Sequence, residues 1–354
     1  MTTALIVGLV VLRLDREVQP SLAMRLHASY GSAGSTSFGT APAYQPEQQI
    51  SGTIRSWGND RMQGLMTRWE EGFRKHHPAV RFETTLHGTG TAIAGLYAGV
   101  ADIALMGRSA TSTENMAFEW VFRYKPMGVE VSTGSLAVPG KSYALAILVN
   151  KDNPLSRLTL SQLDGIFGCE HLRGSKNFRT WGDLGLTGEW SARSIHTYGP
   201  DIQTATASFF RDVVLKGSYK WRCDMKELRG VREPDGSMSD GHREILDALA
   251  TDPVGIAYTA LGELNQQVKP IALSIDDGGP YFGPTLENVQ ERKYPLTRAT
   301  WIYVNRAPGG SLEPKVNEFL RYVLSSEGQQ DVVHEGDYLP LSPDVLLTQL
   351  RLIK

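Results

Sequence analysis

Residues 82–108 read FETTLHGTGTAIAGLYAGVADIALMGR, and this stretch decides the fold class of the chain. It begins as a β-strand, passes through His87–Thr91, continues as a helix with periodic apolar residues, and ends in the segment Ala101–Ala104, which includes Asp102. A strand that ends in small hydroxyl and glycine residues just before a helix leaves the first N–H groups of that helix without partners, at the positive end of the helix dipole. The stretch therefore predicts a cup that suits the oxygens of an anion. The alternative is that Thr89 or Thr91 only caps the helix.

Length and composition set bounds on the architecture and on the partners. With 354 residues, of which 41% are hydrophobic, the chain is long enough to bury two ordinary cores, so we expect two domains. Lys and Arg number 36 against 38 Asp and Glu, a formal net charge of -2, which offers no broad basic field for nucleic acid. Aromatic residues are not interleaved with Lys and Arg. We therefore expect no nucleic-acid partner.

The first 49 residues differ from the rest of the chain. The run Ala4–Leu12 is apolar and uncharged, but it is far too short to span a bilayer as a helix. It is compatible with the core of an export signal, with small residues near a cleavage position at 21–23 or 26–28, although the usual preceding basic segment is missing. Residues 29–49, rich in Gly, Ser, Ala and Pro, predict a flexible lead-in. The expected location is periplasmic or secreted, while cleavage and retention of this segment both stay open.

Cysteine and histidine spacing gives no indication of a metal site. The two cysteines are Cys169 and Cys223. In an oxidising compartment they could pair, and they could equally be buried free thiols. There is no CxxC or HExxH spacing and no cluster of His and Cys. We therefore predict no metal and no other cofactor.

The order of the predicted elements favours a parallel α/β sheet. The strand-like segment Gly52–Trp57 is followed by a helix from about Arg61 to His77, in which apolar residues recur at helical spacing. Val80–Leu86 and Ala92–Val100 repeat the order of strand and helix. Further along, Tyr143–Val149 is almost continuously apolar, as expected for a strand covered on both faces.

A second loop of the same kind occurs in the other half of the chain. The short strand Ser194–Tyr198 leads through Gly199–Thr206 into a helix, Ala207–Leu215. Two anion-friendly loops, one in each half, predict a ligand held between two domains, which is a common location for small-molecule pockets. We therefore expect a hinged clamp.

Four phrases between Leu158 and Gln329 carry family information. They are LTLSQLDGIF at 158–167 followed by Trp181, DPVGIAY at 252–258, YPLTR at 294–298 followed by YVN at 303–305, and the helical pattern from Phe319 to Gln329. In this order they resemble the phosphate-binding proteins that serve ABC importers, in the type II periplasmic binding protein superfamily. The resemblance extends from Gly52 to the region of Leu341. It implies an α/β, two-lobed, type II periplasmic-binding-protein-like fold with a mostly parallel sheet in each lobe and a cleft between.

The resemblance also implies domain bounds and a function. The first lobe would combine 50–141 with 262–354, and the second would span 142–261. The chain would be a non-catalytic solute-binding protein that captures phosphate or a related oxyanion and presents it to the permease subunits of an ABC importer. The expected state is a monomer.

Some site residues follow from the first lobe of the family. Such proteins hold an oxyanion by backbone N–H groups, by Ser and Thr hydroxyls and by an arginine. By the resemblance, Thr89 supplies a hydroxyl, and Gly90 and Thr91 supply N–H groups. Asn59 and Asp60 lie where the family usually has Ser or Thr. The match departs there, because a carboxylate would repel a dianion unless it accepts a proton from it.

The second loop keeps part of the family pattern. By the resemblance, Thr204 and Thr206 supply its hydroxyls, and Gln203 precedes them in the predicted ligand set. The family's arginine is missing, since Gly199 or Pro200 stands in its place. A cation could come from Arg108, a planar donor suited to oxyanions, although a surface arginine is equally compatible.

Several alternatives stay open. Arg298 is as compatible with a bridge between the lobes as with the lining of the cleft. A phosphate-ester hydrolase would need an activated nucleophile or a metal pair, and neither Thr204 nor Thr206 has a histidine in its loop to act as base. A scaffold or surface protein would keep the fold and lose the ligand. We predict no catalytic residue.

Overall fold

The computed structural model describes residues 41–232, 241–262 and 264–354. The described residues belong to one compact unit. The apolar run Ala4–Leu12 and most of the expected lead-in, including the proposed export signal, lie outside the described residues. Within the described ranges, no helix combines the length and the hydrophobicity that a bilayer crossing requires.

The described residues contain twelve strands and ten α-helices. The strands are β1 Gly52–Gly58, β2 Val80–Thr85, β3 Ile103–Met106, β4 Met127–Thr133, β5 Leu145–Asn150, β6 Arg157–Thr159, β7 His196–Pro200, β8 Lys226–Leu228, β9 Gly255–Ala260, β10 Val268–Pro270, β11 Ala272–Ser274 and β12 Ala299–Val304. The helices are α1 Gln63–His76, α2 Ala92–Tyr97, α3 Ser112–Phe122, α4 Leu160–Phe167, α5 Ala205–Val213, α6 His242–Thr251, α7 Leu286–Gln290, α8 Pro314–Val323, α9 Ser326–Glu335 and α10 Pro343–Leu352.

Most strands belong to two five-stranded sheets, in the orders β2-β1-β3-β12-β4 and β10-β5-β9-β7-β8. In the first sheet, β1 pairs parallel with β2 and β3, whereas β12 pairs antiparallel with β3 and β4. In the second sheet, β7 pairs parallel with β8 and β9, whereas β5 pairs antiparallel with β9 and β10. Each sheet is therefore the centre of one α/β lobe.

The two-lobed α/β fold expected from the sequence is confirmed, but the sheets are mixed rather than mostly parallel. Helical crossovers produce parallel neighbours, and they join only part of each sheet. The strand β12 enters the first sheet after the chain has passed through the second, and it inserts antiparallel between β3 and β4. The expected boundary at 261 falls before β10, which pairs with β5. The bounds 50–141, 142–261 and 262–354 stay a prediction.

The first lobe is held by an apolar stripe on α1. Leu65, Met66, Trp69 and Phe73 recur on one face of the helix and are fully buried. The indole N–H of Trp69 donates to the carbonyl of Gly328 at 2.9 Å, which joins α1 to α9. This packing fixes the loop that precedes α1.

The second lobe is held by a cluster of aromatic rings. Tyr258 on β9 stacks on Phe210 of α5, with ring centroids 4.0 Å apart, and on Trp221 at 5.6 Å. Phe167 at the end of α4 meets Tyr258 edge-on at 5.5 Å. These contacts press α5 against the sheet and so fix the loop at 199–206 that precedes it.

Asp102, just before β3, ties three elements of the first lobe together. Its carboxylate accepts hydrogen bonds from the backbone N–H and the guanidinium of Arg55, both at 2.8 Å, and lies 3.3 Å from the Lys315 ammonium. Burial alone would raise the pKa of Asp102, but the bonds from Arg55 and the charge of Lys315 outweigh burial and hold that pKa below its ordinary value.

We expect Asp102→Asn to lower the free energy of unfolding at pH 7 by about 1.5–3 kcal/mol, the usual worth of a hydrogen bond to a charged group. Because the folded-state pKa is depressed, the stabilisation is complete above the unfolded pKa of about 3.9 and is lost as the pH falls through the folded pKa. Urea unfolding at a series of pH values should show wild type and variant converging in acid. A difference that stays the same at every pH would contradict this role.

Cys169 and Cys223 are free thiols, and both are exposed. The expectation that free thiols here would be buried is therefore wrong. Both residues lie beside the isolated bridge between Gly168 and Trp221, where the chain is at the surface. The Cys169 thiol donates to the Trp221 carbonyl at 3.2 Å.

Candidate functional site

The first loop of the site starts where β1 ends. Gly58 has a φ of +139°, and a Cβ there would lie 2.1 Å from the carbonyl oxygen of Leu105 on β3. Asn59 follows and is buried, its N–H donating to the Leu105 carbonyl at 2.9 Å. Its side-chain oxygen accepts a hydrogen bond from the Arg61 N–H at 3.0 Å and so caps a short turn at 60–62. The close approach of two strands thereby holds Asn59 in place.

The second loop is joined to the first by a backbone hydrogen bond from Gly88 N–H to the Gly58 carbonyl at 2.8 Å. Thr89–Thr91 form a tight turn that leads into α2, and neither threonine caps that helix with its side chain. The Thr91 hydroxyl donates to the Gly88 carbonyl at 2.9 Å. Among the described residues, the Thr89 hydroxyl and the N–H groups of Thr89 and Gly90 have no hydrogen-bond partner. These three donors are available to an anion.

The third loop carries Arg108, which forms a two-pronged ion pair with Glu114. The guanidinium donates to the two carboxylate oxygens at 2.7 and 2.8 Å. Glu114 also forms a capping box with Thr111 at the start of α3. Burial alone would raise the pKa of Glu114, but the bonds from Arg108 and Thr111 outweigh burial and hold that pKa below its usual range. Glu114 therefore neutralises Arg108, whose expected contact with the ligand stays a prediction.

The fourth loop precedes α5 in the second lobe. Thr204 caps that helix: its side-chain oxygen accepts a hydrogen bond from Ala207 N–H at 3.2 Å, and its hydroxyl donates to the Asp201 carbonyl at 2.8 Å. The single hydroxyl proton of Thr204 is thus used within the loop. The Thr206 hydroxyl lies 3.1 Å from the phenol oxygen of Tyr143.

The acidic residues of the first and fourth loops have basic neighbours. Asp60 is exposed and lies 3.9 Å from the Arg61 guanidinium, a weak surface pair. Asp201 lies 2.9 Å from the Arg229 guanidinium. Gln203, also expected in the site, is exposed. The repulsion expected between Asp60 and a dianion is therefore reduced by a neighbouring cation.

Ser142 and Tyr143 connect the loops of the two sheets. The Ser142 hydroxyl donates to the Gly107 carbonyl at 2.7 Å. A Cβ at Gly107 would lie 2.5 Å from the Asn59 side-chain nitrogen and 2.7 Å from the Ser142 hydroxyl oxygen, so Gly107 stands directly against both side chains. Tyr143 is the next residue along the chain and reaches Thr206. One line of contacts therefore runs from Asn59 to Thr206.

Sequence reasoning does not predict that Ser142 and Tyr143 connect the loops of the two sheets. It places Tyr143 at the start of a buried strand. However, β5 begins at Leu145, so Ser142 and Tyr143 lie in the segment that crosses between the sheets. The available signal is the small and polar stretch from Gly140 to Ser142, directly before an unbroken apolar run. Such a stretch at a crossing is a natural place for side chains that face a ligand.

The PBP superfamily domain matches residues 43–327 of this chain. The chain belongs to that superfamily. The phosphate-binding protein PstS of Pseudomonas aeruginosa is 35% identical over 306 residues, which cover 86% of this chain and 88% of the relative. The phosphate-binding protein PstS of Bacillus subtilis is 23% identical over 322 residues, which cover 90% of this chain and 91% of the relative. The resemblance to the phosphate-binding proteins of ABC importers is thereby confirmed.

Solved structures agree on the architecture. PstS from Borrelia burgdorferi has a TM-score of 0.54 at 16% identity and covers 82% of this chain and 100% of its own. An ABC-type phosphate transport receptor from Vibrio cholerae has a TM-score of 0.50 at 22% identity and covers 81% of this chain and 99% of its own. At these identities the likeness concerns the fold alone, and it supports the two-lobed α/β architecture.

Proposed function

We propose that this protein is a non-catalytic solute-binding protein that captures phosphate, or a related oxyanion, between its two lobes for an ABC importer. The observation that carries the proposal is the 35% identity, over 86% of the chain, to the phosphate-binding protein PstS of Pseudomonas aeruginosa. The free donors of the second loop and the line of contacts from Asn59 to Thr206 support it, because a desolvated oxyanion needs several hydrogen-bond donors at once.

The proposed ligand set combines both lobes. In the first lobe, Asn59, Thr89 and Gly90 supply donors from the loops after β1 and β2. In the second lobe, Thr206 supplies a hydroxyl from the first turn of α5, a nine-residue helix whose positive end adds about half a unit charge. Four further residues shape the loops around the anion, namely Asp60, Thr91, Gln203 and Thr204, while Arg108 stands nearby with its charge compensated by Glu114.

Delivery to a transporter completes the proposal. The protein works as a monomer outside the cytoplasm, closes its lobes over the anion by a hinge motion, and presents it to the permease subunits. The lobes are 50–141 with 262–354, and 142–261.

Calorimetric titration of the full-length protein with phosphate, sulfate, arsenate and molybdate tests the function. We expect saturable one-to-one binding of phosphate and a matching rise of the melting temperature, since a ligand that binds only the folded state stabilises it. No heat and no thermal stabilisation with any of the four anions would overturn the proposal.

Thr89→Val removes the free hydroxyl and keeps the shape of the side chain. A hydrogen bond to a charged group is worth about 1.5–3 kcal/mol, so we expect phosphate to bind about tenfold to a hundredfold more weakly. Thr91→Val is the matched control, because that hydroxyl already donates to Gly88. Equal losses of affinity in the two variants would show that the Thr89 hydroxyl has no special part.

A phosphate-ester hydrolase is the less favoured function. It needs an activated nucleophile or a metal pair. In the part of the chain that the structure describes, no group of three or more His, Cys, Asp and Glu could hold a metal ion. The Thr206 hydroxyl faces a tyrosine rather than a histidine. Incubation with p-nitrophenyl phosphate is expected to release no nitrophenol above the buffer rate.

A further inference from the structure

Arg298 is a buried cation that has no hydrogen-bond or ion-pair partner for its side chain among the described residues. Arg298 directly precedes β12 in the sequence, and the residue is only 8% exposed. The buried Nε has no hydrogen-bond partner, and no carboxylate of the described residues lies close enough to pair with the guanidinium. Burial lowers the pKa of Arg298, Tyr143 raises it, and the charge of Arg108 lowers it further.

The partly buried Arg292 and the buried Arg222 differ from Arg298 in this respect. Arg292 donates to Glu130 at 2.9 Å and to Thr133 at 3.1 Å. Arg222 is 5% exposed and forms an ion pair with Asp224. A guanidinium removed from water is costly unless an opposite charge compensates it. The environment of Arg298 therefore lacks an anion that the environments of the other two contain.

The position of Arg298 is at the junction of the two lobes. Its backbone carbonyl accepts a hydrogen bond from Gly134 N–H at 2.8 Å, which anchors it to the end of β4 in the first lobe. Its guanidinium carbon lies 5.2 Å from the ring centroid of Phe209, on α5 of the second lobe. It is also close enough to Tyr143, which touches Thr206, and to Arg108 for both to influence its pKa.

We propose that Arg298 is the cationic ligand of the captured oxyanion, donating to it from the floor of the site between the loop after β3 and the first turns of α5. This inference rests on the proposed function and assigns it a residue. A planar guanidinium offers two parallel donors to a tetrahedral oxyanion, and an anion seated there completes an otherwise unpaired buried charge. Arg108 is less suited to bind the anion, because both terminal nitrogens of its guanidinium already donate to the Glu114 carboxylate. The site accordingly selects anionic tetrahedral ligands over neutral solutes.

The test compares three variants of the full-length protein by phosphate calorimetry and by thermal unfolding without ligand. Arg298→Met removes the charge and fills the same space. Arg298→Lys keeps the charge but loses the two parallel donors of the guanidinium. Arg292→Met is the matched control. We expect Arg298→Met to bind phosphate at least about thirtyfold more weakly, as for loss of one partner of a buried charge pair. Arg298→Lys should show an intermediate loss.

The melting temperature distinguishes a role of Arg298 in anion binding from a purely structural role. Because the unpaired charge destabilises the empty protein, Arg298→Met should melt at the same temperature as wild type or higher, whereas Arg292→Met should melt lower and retain its phosphate affinity. One outcome would overturn the inference and leave the proposed function standing. In that outcome the wild type binds phosphate, and both Arg298 variants bind it with an affinity within about threefold of wild type. No binding of any of the four anions by wild type would overturn both. If Arg298→Met does not fold, unchanged affinity in Arg298→Lys still overturns the inference.

Discussion

Gly58→Ala is expected to disable phosphate binding and to lower the free energy of unfolding by more than about 3 kcal/mol. The added Cβ would lie 2.1 Å from the Leu105 carbonyl oxygen, a backbone atom of β3 that cannot move without opening the sheet. The positive φ of +139° adds a strain of about 1–3 kcal/mol for any residue with a side chain. Both the carbonyl that receives Gly88 N–H and the position of Asn59 depend on this turn. Urea unfolding and calorimetry with phosphate measure the two losses.

Gly52→Ala is the matched control at the other end of the same strand. Gly52 also has a positive φ, of +100°, but a Cβ there would meet no atom within 4 Å. The control should therefore carry the conformational strain of about 1–3 kcal/mol without the clash and without loss of affinity. Equal destabilisation in the two variants would mean that the approach of β1 to β3 does not matter.

Tyr258→Ala should destabilise the protein by about 3–5 kcal/mol, the usual cost of truncating a buried aromatic residue. The ring is fully buried and packs on both Phe210 and Trp221, with Phe167 at its edge. Its loss releases α5 from the sheet, so we also expect weaker phosphate binding through the displaced Thr206. Chemical unfolding gives the first quantity and calorimetry the second.

Tyr258→Phe isolates the hydroxyl in the same position. That hydroxyl is buried and has no hydrogen-bond partner in the part of the chain that the structure describes. Removing an unsatisfied buried polar group while keeping the ring should leave stability unchanged or raise it slightly. A large loss of stability in Tyr258→Phe would contradict the view that the stacked ring, rather than its hydroxyl, holds α5.

The sequence predicts the fold best where one physical pattern dominates. The stripe of Leu65, Met66, Trp69 and Phe73 predicts α1, and the continuous apolar run predicts β5, because burial of one face or of both faces leaves a direct pattern. In the helix α3 this pattern is misleading, since Met116 and Trp120 are 65% and 79% exposed. Sequence reasoning does not find that helix, although Thr111 and Glu114 have the spacing of a capping box.

The short and terminal elements are also missed. Met127–Thr133 contains Gly128 and polar residues, which weaken the strand pattern of β4, yet pairing with β12 stabilises it. The segment Pro343–Leu352 reads as a tail but forms α10, which packs on β4 through a hydrogen bond from Glu130 N–H to Gln349. In both cases tertiary contacts decide a conformation that local preference leaves open.

The loops of the site are predicted, whereas the partners of their side chains are not. A loop of small residues between strand and helix is visible in the sequence, and it predicts Thr89 and Thr204 as site residues. Sequence does not tell which threonine hydroxyl has a partner: that of Thr204 donates to Asp201, whereas that of Thr89 has no partner among the described residues. The pairing of Arg108 with Glu114, and its absence at Arg298, depend likewise on distances that spacing does not encode.

The place of β12 between β3 and β4 has a consequence for synthesis of the protein. A ribosome must release the chain as far as Val304 before the place between β3 and β4 can be filled, whereas all five strands of the second sheet emerge earlier. The second lobe can therefore assemble first, and until β12 arrives β3 and β4 present bare edges that invite pairing with other chains. A nascent protein of this architecture needs protection during that interval, and its ligand cannot be captured until the last sheet closes.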